Sequence, residues 1–445
     1  MASTYLTRTF GSAGNRQSWT WSGWIKKTKV YNSTSSGDRE VWFGGYTASN
    51  DTEWLEFGTQ GDAFYFTTSS TASSGNRLMR DPNGWFHAVV TYDGSNLKFY
   101  YNNELDFNNT QLSGNRGINV AGVHTIGAVA TNQSIRRFNG LMSHVHFVDG
   151  AVLSPTVFGE TDSVTGEWKI IVEPTVSSYG TNGFFILKDG NSVTDQSGNS
   201  NNFTVSGGTL TKTEDCPSNV FATLNPLAGS TDATFSNGNT KVTFGTAGSR
   251  SIVSTTLGAI NGRYYWEMKV AGAVYANNIT AGVGTKYAYD ASSNAVGSFN
   301  ETWGITPWNG QVMNNGSSVG GTWATFASGD IMQFAINLVE EQSGLNKFYI
   351  GKNGTWLNGA DPSNHSSTTG VVGITKPENG SSGFVFPLFG DGGSSATPAP
   401  EINFGNGYFG TTAVSSAGTN ASGNGIFEYD VPTGFTALST KGLNL

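Results

Sequence analysis

The feature that most limits the possible folds is a recurring alternation of apolar and polar residues over short runs, each broken by glycine, asparagine or serine. In "SWTWSGWIK" (18–26), Trp19, Trp21 and Ile25 fall on one face of an extended chain and Thr20, Ser22 and Trp24 on the other, because successive side chains of a strand point to opposite sides. "WFHAVVTYDGSNLKFYYNNE" (85–104) holds two such runs around Asp93-Gly94-Ser95-Asn96, a hairpin signal. "GRYYWEMKVAG" (262–272) repeats the pattern, with Tyr264, Trp266, Met268 and Val270 on one face. No window of helical period is long enough to compete. The chain is expected to be all-β.

Composition sharpens that expectation. Aromatic residues make up 13% of the chain and Gly numbers 60, which suits strands and tight turns. At 445 residues the chain is long for a single core, so two or three domains are expected. The net charge of −8, with Lys26-Lys27 and Arg136-Arg137 as the longest basic runs of note, argues against a nucleic-acid partner. No apolar run approaches the roughly 18 residues of a membrane span, so membrane insertion is not expected. The opening "MASTYLTRTFGSAGNRQSW" has no basic stretch followed by an apolar one, so no secretory signal is read there. The single cysteine, Cys216, rules out an internal disulfide framework and a Cys-based zinc site, and is expected to be an ordinary buried thiol.

Three regions follow from the pattern. Residues 1–170 read as a series of short strands, 171–215 as a Gly/Asn/Ser-rich connector with a strand or two of its own, and 216–445 as a second all-β region. The 85–104 segment, followed by "IGAVATNQSIRRFNGLMSHVHFVDGAVLSP", resembles the laminin-G-like (LamG, concanavalin A-like lectin) family. In the last region Gly262-Arg263-Tyr264-Tyr265-Trp266-Glu267, the Gly329-Asp330 turn and Lys352-Asn353-Gly354 resemble the SPRY domain, with Asn337 standing where that family usually has Asp. These resemblances imply two β-sandwich (jelly-roll) domains, LamG-like then SPRY-like with a C-terminal extension. "DCPSNVFATLNPL" (215–227), "KNGTWLNGADPSN" (352–364) and the segment 402–443 are similar to sequences joined to SPRY domains in bacteriophage structural proteins.

Each chemistry-bearing residue also has a plain structural reading. "ELDFNN" offers Glu104 and Asp106 in a spacing like that of glycoside hydrolases, but Asn109 stands where the third carboxylate would be, and an amide cannot act as the acid. Asp93, Asp106 and Asp149 are calcium candidates by residue type, each equally suited to a turn. Trp24 is a candidate sugar platform unless another layer or subunit covers it. In "GLMSHVHFVDG", period two puts Val145 and Phe147 toward a core and His144 and His146 toward solvent or a partner, with Asp149 in a turn. His87 occupies a place where LamG-like strands commonly have His without metal. The sequons at Asn32, Asn50, Asn108 and Asn364 are expected by chance in a chain this rich in Asn, Ser and Thr. No catalytic, cofactor-binding or metal residue is therefore assigned, calcium being the one cofactor left open.

The resemblance implies a non-enzymatic bacteriophage protein on the virion surface, a tail fibre or similar appendage or a head decoration. It would act by adhesion to a host-surface carbohydrate or to other virion proteins, as a homo-oligomer by analogy with such particles. The alternative is a secreted bacterial carbohydrate-binding lectin or a glycan-degrading enzyme.

Overall fold

The alternation at 18–26 becomes the strand Trp19–Lys27, and every residue of it is buried. An alternating strand buried on both faces needs a layer beyond the sandwich partner, and the fold supplies one. The computed structural model describes residues 4–31, 35–47, 55–188, 192–229, 232–245, 250–272, 279–285, 295–306, 309–339, 346–375, 383–393 and 397–444. The sequons at Asn32 and Asn50 lie outside the described residues. The chain folds as two compact units, residues 1–212 with 216–218, and residues 213–215 with 219–445.

The first unit is a sandwich of two antiparallel sheets. One sheet runs in the order Thr204–Ser206, Tyr5–Thr9, Val123–Ile126, Arg39–Tyr46, Leu55–Gln60, Ala63–Thr68, Ala72–Leu78. The other runs Phe184–Ile186, Gly140–Asp149, Trp19–Lys27, Phe86–Tyr92, Leu97–Tyr101, Glu104–Asn109. Their inner faces interdigitate through aromatic rings: Trp21 stacks on Trp42 at 6.2 Å and Phe64 on Phe99 at 4.2 Å. Rings of this size dominate such a core because each buries a large apolar area. The expected hairpin is present. Asp93 Oδ1 accepts from the amides of Ser95 and Asn96 and so closes the turn between Phe86–Tyr92 and Leu97–Tyr101.

One expectation is corrected here. Residues 171–212 are no connector: Phe184–Ile186 extends one sheet beside Gly140–Asp149, and Thr204–Ser206 extends the other beside Tyr5–Thr9. Asp195 makes this possible, because its carboxylate accepts from the amides of Phe185, Ser197 and Asn201 and ties the Gly/Asn/Ser-rich loop to the strand. "ELDFNN" forms an edge strand, Glu104–Asn109. Apolar Leu105 is left 54% exposed at this edge.

The second unit is also two sheets over one core. One is ordered Leu224–Gly229, Ser251–Thr255, Phe386–Asp391, Ile279–Gly284, Thr302–Thr306, Gln311–Asn314, Ser317–Thr322. The other is centred on Arg263–Lys269, Ile331–Asn337 and Asn346–Lys352. Tyr264, Trp266, Met268 and Val270 all enter the core between them, as the alternation requires. Asn337 is buried, and its Oδ1 accepts from the Val339 amide at 3.0 Å, which is a structural role. The other face of Arg263–Lys269 is covered by the C-terminal extension. There Tyr265 and Tyr349 pack with Phe427, Val431 and Phe435, and Thr436–Ala437 pairs with Tyr264 and Tyr265 in parallel. Glu267 fixes the extension in place: its buried carboxylate accepts from the Tyr265 hydroxyl, Asn403 Nδ2 and the amides of Glu428 and Tyr429. Burial pushes this carboxyl up to about 7, against those four donors. The fold is all-β, two sandwiches in sequence, and the one α-helix among the described residues is Thr440–Leu443.

Candidate functional site

The histidine-bearing strand Gly140–Asp149 is where the site begins. It is not the last strand of its sheet, since Phe184–Ile186 pairs beyond it. A bulge interrupts the period: Ser143 sits opposite Trp24 while His146 sits opposite Ser22, and His144 takes up the extra residue at φ 49°. Val145 and Phe147 face the core, as expected. The two histidines do not face solvent, however. His144 is 8% exposed and His146 1%, because the chain after Asp149 folds back over them.

That covering layer is built from residues 150–188. Ser154 caps a short turn, Pro155–Val157, and a hairpin of Gly159–Thr161 and Trp168–Ile170 follows. Trp168 Nε1 donates to His87 Nδ1 at 3.1 Å, and His87 Nε2 meets the Ser22 hydroxyl at 2.7 Å. His87 therefore carries its proton on Nε2 in the neutral form. Trp24 stacks on His87 at 5.1 Å and is only 3% exposed, so it is no sugar platform. His146 stacks on Phe185 at 3.9 Å, and its Nδ1 lies 2.9 Å from the Tyr179 hydroxyl. Burial drives His87 down to about 3, and drives His146 well below the usual histidine range, helped by His144 and His87. These rings are neutral packing elements at neutral pH.

Beside them the same layer leaves a cleft of about 360 Å³. Glu173, Tyr179, Lys188, Gln196, Ser197 and Asn199 are among the residues that line it. Lys188 pairs with Glu173, and its Nζ lies 5.9 Å from the centre of the Phe185 ring. Asn199 Nδ2 donates to the carbonyls of Gly180 and Gly183, which locks one wall of the cleft. Burial raises the Tyr179 phenol, so it stays protonated. An aromatic edge flanked by amide, hydroxyl and charged groups suits a ligand with many hydroxyls, which can both donate to and accept from such a lining.

The other candidate residues are not brought together. Asp93 closes its own turn. Asp106 Oδ1 accepts from the Arg77 amide, while Glu104 pairs with Arg77 at the surface. Asn109 closes a turn through the amides of Gln111 and Leu112. Asp149 is the last residue of its strand rather than a turn residue. It accepts from the Asn15 amide, Asn119 Nδ2 and the Asn182 amide, fastening the loop before Trp19–Lys27. Among the described residues no three His, Cys, Asp or Glu side chains converge as metal ligands would. Cys216 is half-buried rather than buried, 3.4 Å from the Ser218 hydroxyl. The cleft residues escape a reading of the sequence because they fall in the stretch that looks like a connector. The signal that marks it is "FFIL" (184–187), apolar on both faces, as a strand covered on both sides must be.

An all-β chain of two sandwiches, the first carrying a polar cleft on a covering layer, is the class that fold and site define. Residues 2–158 match the Laminin_G_3 family model, described as the concanavalin A-like lectin/glucanases superfamily. Among solved structures the chain is similar to the SPRY domain of human HERC1, with 15% identity over 40% of this chain and 96% of that one, at a TM-score of 0.31. It is similar to another human SPRY domain, with 14% identity, 38% and 94% covered, at a TM-score of 0.28. The stonustoxin structure shares 15% identity, with 59% of this chain and 33% of that one covered, at a TM-score of 0.28. The architecture of the second unit rests on its own sheets and core. No curated protein matches the chain in sequence.

Proposed function

We propose that this chain is a non-enzymatic adhesion protein of a bacteriophage virion surface, and that its first unit holds a carbohydrate in the cleft of residues 173–199. The observation that carries the reading is the polar, aromatic-edged cleft on a sandwich whose residues 2–158 match the concanavalin A-like lectin/glucanases model. Adhesion fits better than hydrolysis. Glu104 and Asp106 are each engaged with Arg77, and Asn109 stands where a third carboxylate would be needed. Placement on a virion draws on the likeness of 215–227, 352–364 and 402–443 to phage structural proteins. As a tail appendage or head decoration, the protein would present the cleft to host glycans and use the rest of its surface against neighbouring virion proteins.

The test is a glycan array with the purified chain and with a Glu173→Ala, Gln196→Ala variant. Both substituted side chains line the cleft. Binding by the parent that the variant loses, at unchanged thermal stability, supports the reading. Binding that survives the variant moves the site elsewhere, and hydrolysis of any bound polysaccharide overturns the non-enzymatic assignment. Immunogold labelling of purified particles tests the virion placement, and unlabelled particles would refute it.

A further inference from the structure

The first unit buries a lysine against an aspartate in a setting that does more than balance charge. Lys27 ends the strand Trp19–Lys27 of one sheet. Asp62 sits in the turn between Leu55–Gln60 and Ala63–Thr68 of the other. Lys27 Nζ lies 2.9 Å from Asp62 Oδ1, and the two side chains are 1% and 0% exposed. Nζ also donates to the Gly61 carbonyl at 3.3 Å. Asp62 Oδ1 accepts from the Tyr31 amide, and Oδ2 accepts from Arg80 Nε at 2.8 Å, whose side chain is 52% exposed.

A third ionisable group is joined to the pair through Tyr31, whose amide donates to Asp62 and whose hydroxyl donates to Glu40. Glu40 is buried, and its Oε1 accepts from the Tyr31 hydroxyl and Asn139 Nδ2, each at 2.9 Å. Its Oε2 is buried without a hydrogen-bond partner among the described residues, the arrangement of a carboxyl group with a proton or a contact still to give. Burial raises this carboxyl, with the nearby Lys27 charge the main influence against it. A buried ion pair gains little over apolar packing, since both charges must leave water. Condensing the pair to an amide removes both charges at once.

We propose that Lys27 and Asp62 are joined by an intramolecular isopeptide bond, formed by the chain itself with Glu40 relaying protons. The Lys27 ammonium passes one proton to the Asp62 carboxylate, and the freed lone pair on Nζ attacks Cγ. The Nζ–Cγ bond forms while Arg80 holds the charge that develops on Oδ2, the oxygen that stays. Glu40 protonates the departing Asp62 hydroxyl and regains a proton from Nζ. The Cγ–Oδ1 bond breaks and water leaves. Ammonium plus carboxylate becomes secondary amide plus water, with no oxidant or cofactor required. The link would tie one sheet to the other covalently, in a chain whose single cysteine cannot supply an internal disulfide.

The experiment is intact-mass spectrometry of the full purified chain, followed by digestion. The expected mass is one water below that of the sequence. A branched peptide should join the Lys27 and Asp62 segments, with trypsin unable to cut after Lys27. Glu40→Gln, which keeps size and shape, should remain folded by circular dichroism and appear at the unreacted mass. Lys27→Arg should do the same, since it keeps the charge but lacks the primary amine. A parent chain at full mass, or a water loss mapped to other residues, overturns the proposal. A fully cross-linked Glu40→Gln chain overturns the role given to Glu40.

Discussion

Acidification should act on the two units with opposite sign. In the first unit His87, His124 and His146 are buried, and burial pushes His87 down to about 3, His124 down to about 4 and His146 well below the usual range. A histidine in the unfolded chain titrates near 6.5, so below that pH the unfolded state takes up protons that the folded state refuses. Stability held by these rings is present above pH 6.5 and is lost as pH falls toward the folded values. Between about pH 8 and about pH 5 each ring contributes a loss of about 2 kcal/mol, or about 6 kcal/mol for the three. Glu40 and Glu56, raised by burial, work in the opposite direction and offset part of that loss. In the second unit Glu267 is raised to about 7, so its contribution is present below the unfolded value and lost as pH rises through 7. The same acidification should therefore stabilise that unit by about 2–3 kcal/mol. Hydrogen exchange read by mass spectrometry separates the units. Corrected for intrinsic rates, peptides from Trp19–Lys27 and Phe86–Tyr92 should lose protection at about pH 5 while those from Arg263–Lys269 and Ile331–Asn337 keep or gain it. His87→Gln should remove about a third of the first unit's response. If both units shift in the same direction, or the first is indifferent to pH, the reasoning from buried neutral histidines is wrong.

Three further outcomes are expected. Glu267→Gln replaces one acceptor oxygen with an NH₂ group and leaves two of its four donors without acceptors. The second unit should lose about 2–4 kcal/mol in chemical denaturation, and the 415–431 segment should become open to limited proteolysis. A Cβ on Gly159 would come within 2.6 Å of the Trp168 ring, so Gly159→Ala should push Trp168 off His87. The expected readout is red-shifted tryptophan emission and a loss of about 1–3 kcal/mol. Asp149→Ala strips the acceptor from Asn15, Asn119 and Asn182 and should lower the first unit's stability by about 3 kcal/mol. Bound metal, measured by elemental analysis, should not change.

Alternation tells which side chains of a strand enter the core, and it is right for Trp19 and Trp21, for Val145 and Phe147, and for Tyr264 and Trp266. It cannot tell what lies against the opposite face, because that is decided by chain far away in sequence. Trp24, His87 and His146 look like an outward face until residues 150–188 return over them, and Tyr265 and Tyr349 are covered by residues of the C-terminal extension in the same manner. The clue present in the sequence is a second periodic set on the polar side: Ser22, His87 and His146 are residues that hydrogen-bond and stack, unlike the Lys and Glu of a solvated face. The cleft is less legible still. Its walls are set by Asp195 and Asn199 bonding to backbone groups of 180–185, and in a stretch rich in Gly, Asn and Ser such bonds cannot be told from ordinary turns before the fold is known. The covered faces also restrict where recognition can occur. Trp24 and Tyr265 are internal, so altering either should unfold its unit before it alters binding. A substitution that changes adhesion while leaving stability intact belongs in the loops and covering layers, and Glu173 and Gln196 are where the first unit offers that separation.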